Sequence, residues 1–336
     1  MKKFIISICL SLSCITFNTK AFNPTDLSKA IELHNLNGIS KNARTTVEKR
    51  DLSHADLSGA DLHGADLYRA DLRGANLPGA NLHRAKLDNT SLDNAHLEEA
   101  DLSEADLTDS YGIHTDLNNA NLQGAILIHC YLNFANLHKA NLHGANLDRS
   151  NLSEADLSDT NLTEANLIRA KLDGANLRRA NLSGVNLSGA NLYGAILEKA
   201  NLEKTKLSVA IDDPKDCTCL RHAHLLDINL MNADLRGVDF KDADLRNANL
   251  TNADLSGANL TNADLSGANL SGTKFNRADL TNAKFMYARL LKTDFSDAYL
   301  SGTNFNDARG MTDELKARIH CLQANGFEVY YTETQI

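Results

Sequence analysis

Leucine recurs at every fifth position from Leu52 to Leu207, with Gly112 the one exception in 32 positions. The residue two places before each of these is small in 31 of the 32 cases, usually alanine, with Arg50 the outlier. A second array runs from Leu220 to Phe305, where all 18 fifth positions are Leu or Phe. A period of five suits neither regular element. On an α-helix the leucines would step by about 140° and spread around the cylinder. In a straight strand an odd period would place successive leucines on opposite faces. Within one unit, however, the small residue and the leucine lie two apart and share a face. If the chain turns a corner once per unit, every such pair points into one axial core, and the chain must coil as a solenoid whose turns stack through backbone hydrogen bonds.

The pattern A-(D/N)-L-x-x, as in Ala60-Asp61-Leu62-His63-Gly64 and Ala180-Asn181-Leu182-Ser183-Gly184, resembles the pentapeptide-repeat family. The resemblance covers about 250 of the 336 residues. It implies an all-β solenoid, a right-handed quadrilateral β-helix with about twenty residues per coil, and the residues at both ends of the arrays read as short helical caps. At the usual ~4.8 Å between strands, the repeats would make about 12.5 coils and a rod of roughly 60 Å. The alanine preference is steric, because a narrow tube with a leucine from every side has no room for a second large chain. The intervening Asn or Asp favours tight turns by bonding to nearby backbone. Ile228, large at a small-residue position, is expected to mark an irregular coil.

The pattern divides the chain as follows. Residues 1–21 read as a signal peptide, with Lys2 and Lys3 before an apolar run from Phe4 to Phe17 and small residues ending at Ala21. Residues 22–50 are an N-terminal capping helix and lead-in, with Pro24 to Asn37 helical. The first array spans 51–210 and the second 220–309. Between them, 211–219 is a break, read from the thirteen-residue spacing of Leu207 and Leu220 as two units plus three extra residues. Residues 310–336 form a C-terminal cap, with Leu315, Ile319 and Leu322 at helical spacing and Gly326 as terminator. Phe327 to Tyr331 adds a strand or serves in homodimerisation.

Removing the signal takes the formal charge from -9 to -12, since Lys2, Lys3 and Lys20 leave with it. Asp88, Asp93, Glu98, Glu99, Asp101, Glu104, Asp106, Asp109 and Asp116 form an acidic belt in a stretch with no Lys or Arg. Beside it, Tyr111, Ile113, Ile126, Ile128, Tyr131 and Phe134 occupy outward positions on adjoining faces. They are a candidate protein-binding patch with an acidic surround. The structural alternative is that Gly112 leaves a hole that Ile113 turns inward to fill while the aromatics ladder between coils.

Cys130 falls on a small-residue core position and reads as a buried thiol. Cys217 and Cys219 permit a local disulfide in an oxidising compartment, with free thiols or an intermolecular bond through Cys321 as the other options. No catalytic residues, cofactor or metal site follow from the sequence. It has no Gly-rich phosphate loop, His-Glu-x-x-His or Cys-x-x-Cys motif, and a filled solenoid offers no enclosed pocket for a nucleophile and base.

The reading is therefore a non-catalytic protein, exported to the periplasm or secreted, with no membrane span, that acts as a binding or scaffold surface for a protein partner. One alternative follows from family members that resemble duplex DNA and protect DNA gyrase from quinolones; the mixed charge of both arrays and the export signal speak against it. A secreted effector engaging a host protein is another. Direct nucleic-acid binding is not expected of an acidic surface.

Overall fold

The computed structural model describes residues 51–207, 218–324, 326 and 328–331. The expected signal peptide, the N-terminal helix, most of the break and Cys217 lie outside the described residues. The chain divides into two compact units, Met1–Asn161 and Leu162–Ile336.

One repeat shows how the backbone is satisfied. In Ala100-Asp101-Leu102-Ser103-Glu104, the Ala100 N–H closes a tight turn on the Leu97 carbonyl at 3.1 Å. The Asp101 N–H donates to the Ala80 carbonyl of the preceding coil at 2.9 Å. The Leu102 and Glu104 N–H groups donate to the Asn121 and Gln123 carbonyls of the next coil at 2.7 and 2.9 Å. One donor is left, on Ser103, and it donates to Oδ1 of Asp101 at 3.1 Å. All five N–H groups of the repeat are thus used, as burial of polar backbone demands. The Asn or Asp of the motif supplies the one acceptor that the ladder does not. It also explains Pro78, which takes the corner position whose N–H the ladder never needs.

The second of the two corner residues turns the chain with a positive φ, 65° at Gly124 and 59° at Glu99. This is the left-handed region that a type II turn requires at its third residue, which is why glycine is common there. Non-glycine residues hold it at a cost of about 1 kcal/mol each.

In the first unit these turns stack as four columns of parallel bridges. Asp51, Asp71, Ser91, Tyr111, Tyr131 and Asn151 form one face, and Asp66, Lys86, Asp106, Ile126 and Asn146 the face that precedes it along the coil. The columns of Asp116 and Asn121 complete the square. Leucines and alanines fill the interior and are almost wholly buried. Where the small residue is threonine, its hydroxyl donates to a leucine carbonyl, as from Thr90 to Leu87 at 2.6 Å.

The second unit repeats this plan from Leu162 onward. Its columns continue past the break without losing register: Asn191, Ile196, Asn201 and Lys206 bridge to Cys219, His224, Asn229 and Asp234. Each of these pairs is 28 apart in sequence instead of 20, so the thirteen-residue spacing is one unit plus eight inserted residues, not two units plus three. The Thr218 hydroxyl donates to the Leu207 carbonyl at 2.7 Å, so the two sides of the insertion meet within a single coil. Ile228 is buried in a regular coil, contrary to the expected irregularity, its carbonyl accepting from Asn249 at 2.8 Å.

Toward the C-terminus the core changes from leucine to phenylalanine. Phe275 stacks on Phe295 and Phe285 on Phe305, with ring centroids 5.2 and 5.1 Å apart, and the two stacks meet edge to face. The ladder ends at Gly310, which stands where the next leucine would fall and turns the chain out with φ +79°. Helix α1, Asp313–Ala324, follows, with the Thr312 hydroxyl accepting from the Leu315 N–H as an N-cap. Leu315 and Ile319 are buried beneath it, and the Arg318 guanidinium donates to the Phe295 and Ala298 carbonyls of the last coils. The segment after the helix adds a strand: Tyr330 bridges to Asn304, and its carbonyl accepts from Phe305 at 2.7 Å. This covers one sheet edge that would otherwise be sticky.

Candidate functional site

The hydrogen-bond plan of the repeat makes its exceptions informative. Tyr111, Ile126 and Tyr131 stand at the Asn/Asp position, and none can accept the first corner N–H as Asp106 does from Thr108 at 3.0 Å. Each gives up a bond that a consensus residue would provide. Phe134 violates a second rule. It holds the left-handed corner with φ +62°. Among the described residues with positive φ, only Phe134 and Tyr287 are neither glycine nor one of Asn, Asp, Glu, His, Arg and Lys. A bulky aromatic there is an outlier.

These residues lie together in the first unit. Tyr111 and Tyr131 are ladder neighbours, their rings stacked at 5.0 Å and 3° from parallel. Phe134 stacks on His114 at 5.0 Å. Ile126 and Ile128 belong to the face that leads into Tyr131, so the patch wraps one corner. Tyr111, Ile126, Tyr131 and Phe134 are exposed, Tyr111 by 46% and Phe134 by 50%, whereas Ile113 and Ile128 are half-buried. Most outward positions of the chain are polar, so large exposed rings on neighbouring coils stand out.

Ile113 does not turn inward. The missing leucine at Gly112 is compensated from the neighbouring repeat and coil: a Cβ on Gly112 would meet Thr115 Oγ1 at 2.8 Å and Leu132 Cδ2 at 2.9 Å. The Ile113 N–H, deprived of an acceptor by Tyr111, donates instead to Oδ1 of Asp93 at 2.9 Å.

The acidic belt divides into carboxylates that build the coil and carboxylates that face water. Asp101, Asp106 and Asp116 accept corner N–H groups, and Asn121 and Asn136 stack above Asp101 and Asp116 with their amides donating at 3.0 Å. Glu104 pairs with Arg84 at 2.7 Å, which draws its carboxyl below the ordinary range, the hydrogen bond from Arg84 being the main cause. Asp109 faces His129 at 3.4 Å and Glu98 faces His96 at 3.2 Å. Asp88 moves the other way: partial burial, with the nearby Asp106 carboxylate, raises its pKa. Glu99 projects from its corner and is exposed. Of the nine, Glu104 has its charge offset by a guanidinium, whereas hydrogen bonds from backbone N–H groups leave a carboxylate's charge in place.

His63 and His83 stack at 5.1 Å, and His83 Nδ1 lies 2.8 Å from the Ser103 hydroxyl. Among the described residues no group of three His, Cys, Asp or Glu side chains is placed to hold a metal, and no helix is long and apolar enough to cross a membrane. Cys219 has a free thiol at an Asn/Asp position. Cys130 is buried; its thiol donates to the Leu107 carbonyl at 2.8 Å and lies 3.3 Å from the Ser110 hydroxyl. Burial pushes its pKa up to about 12.

Comparison with known proteins agrees with this geometry. The family model described as pentapeptide repeats (8 copies) matches overlapping segments that together cover residues 51–111, 115–208 and 220–309. The chain belongs to the pentapeptide-repeat family. Its members are right-handed quadrilateral β-helices, the architecture found here. Among solved structures it is similar to HetL, a pentapeptide repeat protein involved in heterocyst differentiation regulation from the cyanobacterium Nostoc sp. Strain PCC 7120, at 30% identity over 81% of this chain and 94% of HetL, with a TM-score of 0.29. It is also similar to QnrB1, a plasmid-mediated fluoroquinolone resistance protein, at 18% identity over 71% of this chain and 97% of that one, with a TM-score of 0.34. No curated protein matches the chain.

The spacing of five made the core legible without a structure. The departures that mark the candidate patch were also in the sequence, away from Asn/Asp at one position and from glycine or polar residues at another. Reading it required knowing which backbone donor the Asn/Asp serves and which corner residue is left-handed.

Proposed function

We propose that this pentapeptide-repeat protein is a non-catalytic binding scaffold, exported from the cytoplasm, whose surface around Tyr111, Tyr131 and Phe134 docks a protein partner. The observation that carries the proposal is the cost of that surface to the fold. Three Asn/Asp positions lack their backbone acceptor and one corner strains a phenylalanine, all within two adjoining faces. Local rules broken together at an exposed place mark a surface kept for something other than stability. Rigid stacked aromatics are the residues that anchor protein interfaces, and the carboxylates around them supply a polar rim.

Export rests on the N-terminal pattern, with Lys2 and Lys3 before the apolar run and small residues up to Ala21. Cell fractionation with N-terminal sequencing of the mature chain tests it. A mature chain beginning after Ala21 outside the cytoplasm is expected, and a cytoplasmic chain with Met1 or Lys2 at its start sinks it. Recovery in culture fluid would favour the reading of a secreted effector that engages a host protein.

The docking surface is tested by Tyr131→Ser with Phe134→Ser. The pair should abolish capture of the partner that the wild type retains in cross-linking from its own compartment, and it should leave the thermal midpoint within about 4 °C. Partner capture that survives the pair, or a collapse of stability, returns these rings to a purely structural role. Mimicry of duplex DNA is disfavoured because the surface is mixed in sign, with Glu104 paired with Arg84 and Glu198 with Arg178.

A further inference from the structure

The two rules that single out the first patch are broken together again in the second unit, at a place of opposite charge. Arg289 and Arg309 both stand at the Asn/Asp position, where a guanidinium can donate but cannot accept. Tyr287 is the other aromatic in a left-handed corner, with φ +61°, and is 60% exposed. Leu291, 55% exposed, follows on the far side of Arg289. With Gly267 and Gly310 they line an open cleft of about 590 Å³. The cleft exists because the ladder stops there. A Cβ at position 310 would sit 3.2 Å from the Leu291 nitrogen and would have to hold φ +79°, so glycine suits this place, and Gly310 leads the chain away to α1.

Among the described residues the two arginines of the cleft have no paired carboxylate, the nearest acid in sequence being Asp307, two residues before Arg309. Arg289 and Arg309 are ladder neighbours on adjacent coils, so two like charges are held about one strand spacing, ~4.8 Å, apart at their backbones. Where like charges stack elsewhere, as Asp234 on Asp254 and Asp244 on Asp264, Arg236 and Arg246 pair with Asp234 and Asp244. Among the described residues neither Arg289 nor Arg309 has an ion pair. From Leu280 to Thr293 the chain carries Lys284, Arg289 and Lys292 and no acid. Two arginines side by side, edged by a tyrosine and a leucine, complement a carboxylate that has an apolar side chain next to it.

We infer that this cleft is a second docking site, for an acidic segment of a partner protein whose carboxylates meet Arg289 and Arg309 while an adjacent aromatic or aliphatic side chain packs on Tyr287 and Leu291. It lies wholly within the second unit and does not depend on the patch around Tyr131.

The test uses the full chain and a fluorescent synthetic peptide of alternating Glu and Phe, read by anisotropy, with a Lys and Phe peptide and inorganic tripolyphosphate as comparisons. The Glu peptide should bind and weaken as salt rises, and Arg289→Gln with Arg309→Gln should reduce its affinity at least about tenfold with an unchanged melting curve. Tyr287→Ser should reduce affinity several-fold and leave the salt dependence intact, whereas Tyr131→Ser with Phe134→Ser should change neither. Absence of binding, equal binding of the Lys peptide, or indifference to the arginine pair overturns the proposal. Tripolyphosphate displacing the peptide as well from the Tyr287→Ser protein as from the wild type would show a bare anion site instead. Self-association of the chain through the same arginines would replace the partner by a second copy.

Discussion

The backbone N–H of Ile113 donates to Oδ1 of Asp93, 2.9 Å away and twenty positions earlier in the chain. In a regular repeat that bond would come from residue 111, but residue 111 is tyrosine. A carboxylate of the acidic belt thus repairs the backbone defect that the aromatic patch creates. Asp93→Ala should cost about 1 kcal/mol by leaving that donor unpaired. In a Tyr111→Asn background, where the local acceptor is restored, the same change should cost almost nothing. Urea denaturation of the four proteins gives the coupling, and identical losses in both backgrounds would deny the bond any weight.

Gly112 departs from the repeat in the direction that invites correction. Consensus logic would place leucine there and expect a gain. Thr115 and Leu132 already occupy the space, however, and even a methyl group would press on both. Gly112→Ala should destabilise the protein by about 1–3 kcal/mol, and Gly112→Leu by no less. A raised melting temperature for the leucine variant would show that the neighbours move aside freely.

The left-handed corners give a prediction of opposite sign at two sites. Phe134→Gly should stabilise by about 1 kcal/mol, because glycine takes φ +62° without a Cβ penalty, and it should weaken partner capture at the same time. Gly302→Ala should destabilise, since its φ is +70° and the added Cβ would run into Asn282 Oδ1. A destabilised Phe134→Gly would mean that the ring supports the coil through His114.

Stability should fall at both ends of the pH range for separate reasons. The Ser58 hydroxyl holds Asp56, and the Ser296 hydroxyl holds Asp294, below the ordinary carboxylate range. Their contribution is present above the usual aspartate pKa of about 4 and is lost as pH falls through the depressed values. Cys130 is raised to about 12, so its contribution is complete below the ordinary thiol pKa of about 8.5 and is lost as pH climbs from there toward 12. In thiol labelling at neutral pH, Cys130 should react only after unfolding. Cys130→Ala should flatten the alkaline limb of stability against pH and leave the acid limb in place.

Periodicity alone determined that leucines and small residues share one lengthwise core, because no helix or straight strand can bury a period of five. The pattern also located helix α1 after the second array, since Thr312, Leu315 and Ile319 supply its cap and its buried stripe. The eight-residue insertion was not legible: counting between leucines cannot tell two units plus three from one unit plus eight, and only the bridge of Asn191 to Cys219 decides it. Nor does sequence say what fills the space at Gly112, because Leu132 arrives from the next coil, twenty positions on. The structural cost of the exceptions was likewise visible only in three dimensions. Tyr111 and Phe134 stood out in the sequence as outward apolar residues, but which hydrogen bond Tyr111 forfeits and which left-handed corner Phe134 holds is visible only in the backbone, and Tyr287 and Arg289 read as ordinary outward residues until then. The core repeats within a coil and is written locally, whereas the faces join residues one coil apart, and only the stacked chain brings those together.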